Sequence, residues 1–332
     1  MGEFDVIARY FQRTAPQGEA VALGIGDDCA LLTPRAGTQL AVSSDMLVEG
    51  RHFLSTVSPE ALGHKALAVN LSDLAACGAQ PLAFTLALSM PRVDEVWLAG
   101  FSKGLFALAD AHGCALVGGD TTQGPLNICI TVFGEIPVAG GKSQALLRSG
   151  ARVGDDIYVS GTATDCVGDA RLALEAFRGS ISLDEKTFAH ARARMERPTP
   201  RVALGMALRG VASSAIDVSD GLLGDLGHIL QRSGVGATVA IDLIATNVHA
   251  TGTMGTLSTE FRRTMRATGG DDYELVFTAP TSGRMAVQSI AASTQTVLTR
   301  MGSIEAQAGL RLVDAQGHSL AHDFASFDHF KT

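Results

Sequence analysis

The sequence predicts two α/β domains, an expectation resting on three observations. The chain has 332 residues, well beyond the roughly 150 of a common single domain. Strand-like and helix-like segments alternate in both halves. Between the halves, 138–154 is rich in Gly, Ser and basic residues and reads as a junction. A boundary there gives an N-terminal domain over 1–150 and a C-terminal domain over 151–332.

Each element has its own signals. Leu40 to Val42 reads as the end of a strand running into Ser43-Ser44-Asp45. Ser58 is an N-cap, with Pro59 at the first helical position and Gly78 as the stop. Asp94 caps a second helix that runs to about His112, with Leu98, Phe101, Leu105 and Leu108 along one stripe. Ala115 to Val117 is a short strand ending in Gly118-Gly119-Asp120, and Asn127 to Phe133 is another. In the second half, Ile157 to Val159 starts a new strand–turn–helix series. Thr199 and Pro200 cap and open a helix, Ser214 to Val218 leads into Ser219-Asp220-Gly221, and Glu274 to Phe277 follows Gly269-Gly270-Asp271-Asp272.

Composition narrows the function. Apolar residues make up 46% of the chain and charged ones 18%, enough for two sizeable cores. The 37 glycines imply many tight turns. A net charge of −8 argues against nucleic acid or an anionic membrane as partner. Cys29, Cys77, Cys114, Cys129 and Cys166 form no Cys-x-x-Cys pair, so reduced and mostly buried thiols are expected. The opening residues Glu3 and Asp5 are acidic where an export signal is basic. No apolar run is long enough for a bilayer, which predicts a cytoplasmic protein.

The chemistry lies in the aspartates. Asp27 and Asp28, Asp45, Asp120, Asp217 and Asp220, and Asp271 and Asp272 each stand where a strand meets a Gly- or Ser-rich turn. Any one of them could be an ordinary turn residue. Their recurrence in both halves of a sparsely charged chain favours a shared role. Asp73 is sharper, because it lies in an apolar helix with Ala66, Asn70 and Asp73 on one face. A carboxylate there is costly unless it is paired or metal-bound. Oxygen ligands without His or Cys point to Mg²⁺ or Ca²⁺, and dispersed single carboxylates suit Mg²⁺, which keeps waters and shares its sphere with phosphates. His52 follows Asp45 by a short loop and could meet a phosphate, although a lone loop histidine is more often a surface residue.

Two near-motifs fail. Gly140-Gly141-Lys142-Ser143 resembles the end of a P-loop, but Ile136 stands where its first glycine belongs. Gly24-Ile25-Gly26-Asp27-Asp28-Cys29 lacks the third glycine of a dinucleotide fingerprint and would set two aspartates against the pyrophosphate.

Taken in order, Gly24 to Ala30 (GIGDDCA), Ala66 to Gly78 (ALAVNLSDLAACG), Gly118 to Thr122 (GGDTT), Ile216 to Leu222 (IDVSDGL) and Gly269 to Leu275 (GGDDYEL) resemble the thiamine-monophosphate kinases. The resemblance covers almost the whole chain. That family belongs to an ATP-binding superfamily with aminoimidazole ribonucleotide synthetase, selenophosphate synthetase and a hydrogenase-maturation dehydratase. The resemblance implies an N-terminal domain that forms a dimeric β-barrel with its partner subunit, a C-terminal α/β domain beside it, and ATP with several Mg²⁺ in the cleft. It implies Asp28, Ser43, Ser44, Asp45, Asp73, Asp120, Asp217 and Asp220 as magnesium ligands. Gly119, Asp120, Arg148 and Ser219 would contact ATP. His52, Asp272 and Phe327 would contact thiamine monophosphate. Asp272 stands where relatives often carry Glu, and Phe327 where Trp or Tyr is common. Asp220 and Gly221 open a helix whose free N–H groups would favour phosphate oxygens. A homodimer and direct in-line transfer without a protein nucleophile are expected. The runner-up functions are an aminoimidazole ribonucleotide synthetase-like reaction and a non-catalytic magnesium or nucleotide sensor.

Overall fold

The computed structural model describes residues 2–13, 20–161, 167–244 and 257–320. The chain divides into two compact units. The first holds Met1–Leu74 and Ala79–Ala145, and the second Ala75–Gly78 and Leu146–Thr332.

The first unit opens with a short helix α1 (Glu3–Val6) and a wider helical turn at Ile7–Phe11, then the small pair β1 (Val21–Leu23) and β2 (Leu31–Leu32). Its main elements are β3 (Thr38–Val48), α2 (Pro59–Ala76), β4 (Gln80–Met90), α3 (Glu95–Ala111), β5 (Ala115–Gln123), β6 (Asn127–Ala139) and β7 (Lys142–Ser143). The sheet order is β3-β6-β4-β5, with β7 on the far end of β6; only β4 and β5 run parallel. One face is apolar and buried, with Phe84, Leu86 and Leu88 from β4 and Ile128, Ile130 and Val132 from β6. On the other face the edge strand β3 exposes Leu40, Val42 and Met46 at 45%, 56% and 52%.

Helices α2 and α3 start and stop as expected. Ser58 Oγ accepts from Ala61 N–H, and the Asp94 carboxylate accepts from Val96 and Trp97. Gly78 ends α2 in the left-handed region at φ +67°. The two helices cross on glycine. A Cβ on Gly104 would lie 1.8 Å from the Glu60 carbonyl oxygen, and one on Gly63 would lie 2.0 Å from that of Phe101.

The second unit contains β8 (Asp156–Gly161), α4 (Asp169–Phe177), α5 (Glu185–Glu196), α6 (Val202–Ala207), β9 (Ser214–Asp217), α7 (Leu222–Ser233), β10 (Gly236–Ala240), α8 (Thr259–Thr268), β11 (Leu275–Ala279), α9 (Arg284–Ser293), β12 (Val297–Glu305) and β13 (Gly309–Val313). Its six-stranded sheet has the order β13-β10-β12-β8-β11-β9, with only β10 and β13 parallel. Strands β8, β9 and β11 are buried along their whole length, so both faces are covered. The apolar stripe of α7 (Leu222, Leu226, Ile229, Leu230) packs with Ile157, Val159, Ile216 and Val276.

Several expectations need correction. Strands β3 and β5 run straight through Ser43-Ser44-Asp45 and Gly118-Gly119-Asp120, so these aspartates sit inside strands rather than in turns. Helix α6 starts at Val202, with Arg201 rather than Thr199 before it. The Arg201 guanidinium is drawn away to a buried carboxylate, that of Glu274. Of the described cysteines only Cys114 is buried; Cys29 and Cys77 are exposed. No helix among the described residues is long and apolar enough to cross a membrane.

Replacing Gly104 by Ala should lower the stability of the first unit by at least about 2 kcal/mol, because the new methyl meets backbone rather than a movable side chain. Trp97, the only tryptophan, lies in α3 and stacks on Phe101, so its fluorescence during urea unfolding reports this unit. An unchanged midpoint would contradict the close crossing.

Candidate active site

Strand alternation sorts the three residues Ser43-Ser44-Asp45. Successive side chains point to opposite faces, so Ser43 and Asp45 lie on the side of α2 and Ser44 on the other. Ser43 Oγ donates to Asp73 Oδ2, and the backbone N–H of Asp45 donates to Asn70 Oδ1 at 3.0 Å. Asn70 is itself fixed, donating from Nδ2 to Ala66 O at 3.0 Å. Ser44 Oγ instead meets Thr131 Oγ1 at 2.9 Å and Ile130 O at 3.3 Å. The hydroxyls of Ser43 and Ser44 therefore cannot serve one metal ion together.

A cavity of about 870 Å³ opens in the same unit, and its wall brings Asp27, Asp28, Gly119 and Asp120 together. Phe4, Ile7 and Phe11 supply an apolar side. Gly119 is required at its position: with φ +146°, a Cβ would sit 1.8 Å from Leu86 O. Asp28 and Asp120 are exposed and form no ion pair with any described residue.

His52 lies in the turn that follows β3. Its Nδ1 accepts from Val48 N–H at 3.0 Å, so the neutral ring carries its proton on Nε2. The buried Lys65 of α2 donates from Nζ to His52 O at 2.9 Å and holds the loop from below.

In the second unit, β9 ends at the buried Asp217 and the chain turns through Ser219-Asp220-Gly221 into α7. Three of the N–H groups in this turn, where a phosphate was expected, are already used. Those of Ser219, Asp220 and Gly221 donate to Asp225 Oδ2 at 3.0, 3.1 and 3.2 Å. Burial, and then the Asp220 carboxylate, push Asp225 up to about 7 against the lowering effect of these three donors. Arg148 is exposed, and its carbonyl accepts from Ser233 Oγ at 3.4 Å.

Asp272, expected at the substrate, is 0% exposed. Its Oδ2 accepts from Gly168 N–H at 2.8 Å, its Oδ1 has no partner among the described residues, and burial holds its pKa well above the usual carboxylate range. The carboxylate is thus committed to the segment before α4. Its neighbour Asp271 is partly exposed, with a left-handed backbone at φ +65°. Next to it Glu274, also 0% exposed, accepts from Arg201 Nε at 2.7 Å, Arg194 Nη2 at 3.1 Å and Ser160 Oγ at 2.5 Å. Phe327 lies outside the described residues, as do 162–166 of the loop from Gly161 to Gly168.

Among the described residues no three His, Cys, Asp or Glu side chains gather closely enough to hold a metal unaided. The donors present are carboxylate, hydroxyl and amide oxygens. Such a set fits Mg²⁺ with a sphere completed by water and phosphate, and does not fit zinc.

Residues 26–136 match the family described as "AIR synthase related protein, N-terminal domain". The thiamine-monophosphate kinase of Salmonella typhimurium is 44% identical over 333 residues, covering 100% of this chain and 99% of that protein. The chain belongs to the thiamine-monophosphate kinase family. A crystal structure of the thiamine-monophosphate kinase from Stenotrophomonas maltophilia superposes with a TM-score of 0.81 at 44% identity, covering 96% of each chain. A second, described as AaThiL complexed with AMPPCP and TMP, gives 0.74 at 27% identity, covering 95% of this chain and 93% of that one. The mixed α/β architecture is therefore that of thiamine-monophosphate kinase structures. Sequence reasoning singled out most of the acidic residues but passed over Lys65 and Asp225. Lys65 was hidden in an apolar helix, where a buried cation is the exception. Asp225 looks like any acidic residue in a first helical turn.

Proposed function

We propose that this protein is an ATP-dependent kinase that transfers the γ-phosphoryl group of ATP to thiamine monophosphate, giving thiamine diphosphate. The full-length 44% identity to a thiamine-monophosphate kinase carries the reading. The cavity that gathers Asp27, Asp28, Gly119 and Asp120 supports it locally. In the first unit Asp28, Asp120, Asp45 and Asp73 would hold magnesium, with Ser43 oriented by Asp73; in the second, Asp217 and Asp220 would do so. Bound magnesium would offset the charge that builds on the phosphates. Gly119 allows close approach of the nucleotide, and Ser219 and Arg148 offer it donors.

For the acceptor, His52 Nε2–H is a donor suited to a phosphate oxygen. For the cationic thiazolium ring, the partly exposed Asp271 would be a more accessible carboxylate than the buried Asp272. Phe327 would offer an aromatic face to that ring. The acceptor is itself a phosphate, with a second pKa of about 6, so it is mostly deprotonated at neutral pH and needs no general base. Positioning and electrostatics then suffice for a direct in-line displacement. Both substrates are soluble metabolites, which supports a cytoplasmic location.

The homodimer expected for this family finds support in β3. It is an edge strand, and its outward face carries Leu40, Val42 and Met46. We propose that this face closes a β-barrel with a second copy.

Three tests follow from this reading. ATP consumption should depend on thiamine monophosphate, and Asp73→Asn should lower turnover by about 100-fold or more while leaving the circular dichroism spectrum intact. Near-normal turnover of a folded Asp73→Asn protein would refute its assignment. With ATP made chiral at the γ-phosphorus, the product should show inversion; retention would reveal a phosphoenzyme and a missed nucleophile. Light scattering should report a dimer that Val42→Lys weakens or splits, whereas a monomeric wild type would rule the barrel out.

A further inference from the structure

Resting on the assignment of Ser219 and Asp220 to nucleotide and magnesium, we propose that Asp225 is a positioning residue for both: its carboxylate fills the N–H cradle at the start of α7 and fixes the turn that displays them.

The start of a helix leaves four N–H groups without intrahelical partners. Gly221 precedes α7 as its N-cap and has no side chain to cap them. Asp225, one turn on and 3% exposed, reaches back and takes N–H groups from three consecutive residues, Ser219, Asp220 and Gly221. The backbone reciprocates, since Asp225 N–H donates to Gly221 O at 2.9 Å. Gly221 has φ +120°, a conformation that L side chains rarely adopt, and this lets three successive N–H groups converge on one oxygen.

The carbonyl side of the turn is held separately. Ser219 O accepts from Asp271 N–H and Val218 O from Tyr273 N–H, each at 2.9 Å. Glu274 O accepts from Val218 N–H at 2.8 Å, and the Glu274 carboxylate is clamped by Arg194 and Arg201. With these three N–H groups held by Asp225 and the Val218 and Ser219 carbonyls held by the 271–274 segment, the turn presents the side chains of Ser219 and Asp220, both partly exposed, to a ligand. A helix N-terminus of this kind ordinarily takes an external anion. Here the protein supplies its own, so the cradle sets the direction of the Asp220 carboxylate instead of receiving phosphate. Asp225 touches no reacting atom in this scheme. It acts through Asp220.

The test compares Asp225→Ala, Asp225→Asn and Asp220→Asn in the full-length enzyme, each checked for folding by circular dichroism. Loss of a charge-assisted cradle should raise the KM for ATP and the half-saturating magnesium concentration by about tenfold or more in Asp225→Ala, with the KM for thiamine monophosphate within about twofold of wild type. Asp225→Asn keeps one acceptor oxygen and should recover part of this loss. If Asp225→Ala fails to fold, the same split read on Asp225→Asn, at about threefold, decides the matter. A uniform change in all three constants, or none, while Asp220→Asn is crippled, would overturn the positioning role and leave the assignment of Asp220 standing. An unaffected Asp220→Asn would instead sink that assignment and the proposal with it.

Discussion

A carboxylate taken out of water is costly unless donors or cations meet it, and both units are arranged around how that demand is met. Glu135, with 0% of its side chain exposed, receives the Arg35 guanidinium and its backbone N–H, tying the segment before β3 to β6. Glu274 sits under Arg194 and Arg201. Asp156 is held below the usual carboxylate range by Arg284 first and Arg300 beside it, and Asp242 by Arg263. Asp225 and Asp272 are met by backbone N–H groups instead. These carboxylates are engaged within the protein. Against them stand Asp28, Asp120 and Asp220, which form no ion pair with any described residue. That contrast is what favours, on the proposed reading, cations from solution as the partners of these three carboxylates.

The two kinds of carboxylate depend on each other. Glu274 and its arginines fix the backbone of 271–274, and that backbone accepts and donates to Val218 and Ser219. The turn that carries the partly exposed Asp220 is thereby tied to a buried ion cluster. In the first unit the equivalent anchoring is steric. Glycines let α2 and α3 cross closely, and α2 then presents Asn70 and Asp73 to the odd-numbered residues of β3. Rigid elements rather than loops hold these side chains.

Much of this was legible in the residues themselves. Caps at Ser58 and Asp94 and the stop at Gly78 act locally, through groups within a few positions, so a sequence displays them directly. The apolar helix around Asp73 likewise marked a carboxylate in need of a partner, and Ser43 Oγ donates to it. What escaped depends on distant partners. Whether Ser43-Ser44-Asp45 is a turn or mid-strand is decided by β6, some 85 residues away in register, where Asp45 faces Ile130. Thr199-Pro200 carries the signature of a helix start, yet α6 begins after Arg201, which is drawn to Glu274, 73 positions on. Asp271 and Asp272 are identical in type and adjacent. Only the fold separates them, by burying one against Gly168 and turning the other outward through a left-handed backbone.

The occupied cradle at α7 also bears on how two anions can be brought together. ATP and thiamine monophosphate both carry negative phosphates, and the chain itself has a net charge of −8. A P-loop protein would meet such charge with a row of backbone N–H groups and a lysine. Here Ile136 breaks that motif, and the three converging N–H groups at the start of α7 are spent on Asp225. The turn before α7 thus gives these N–H groups to a carboxylate of its own and displays Asp220 beside them. On the proposed reading, cations held by these carboxylates would relieve the anion–anion repulsion, with Arg148 as a further positive group. On that reading, dependence on magnesium would be in part a consequence of the backbone, because the N–H groups given to Asp225 no longer face a phosphate.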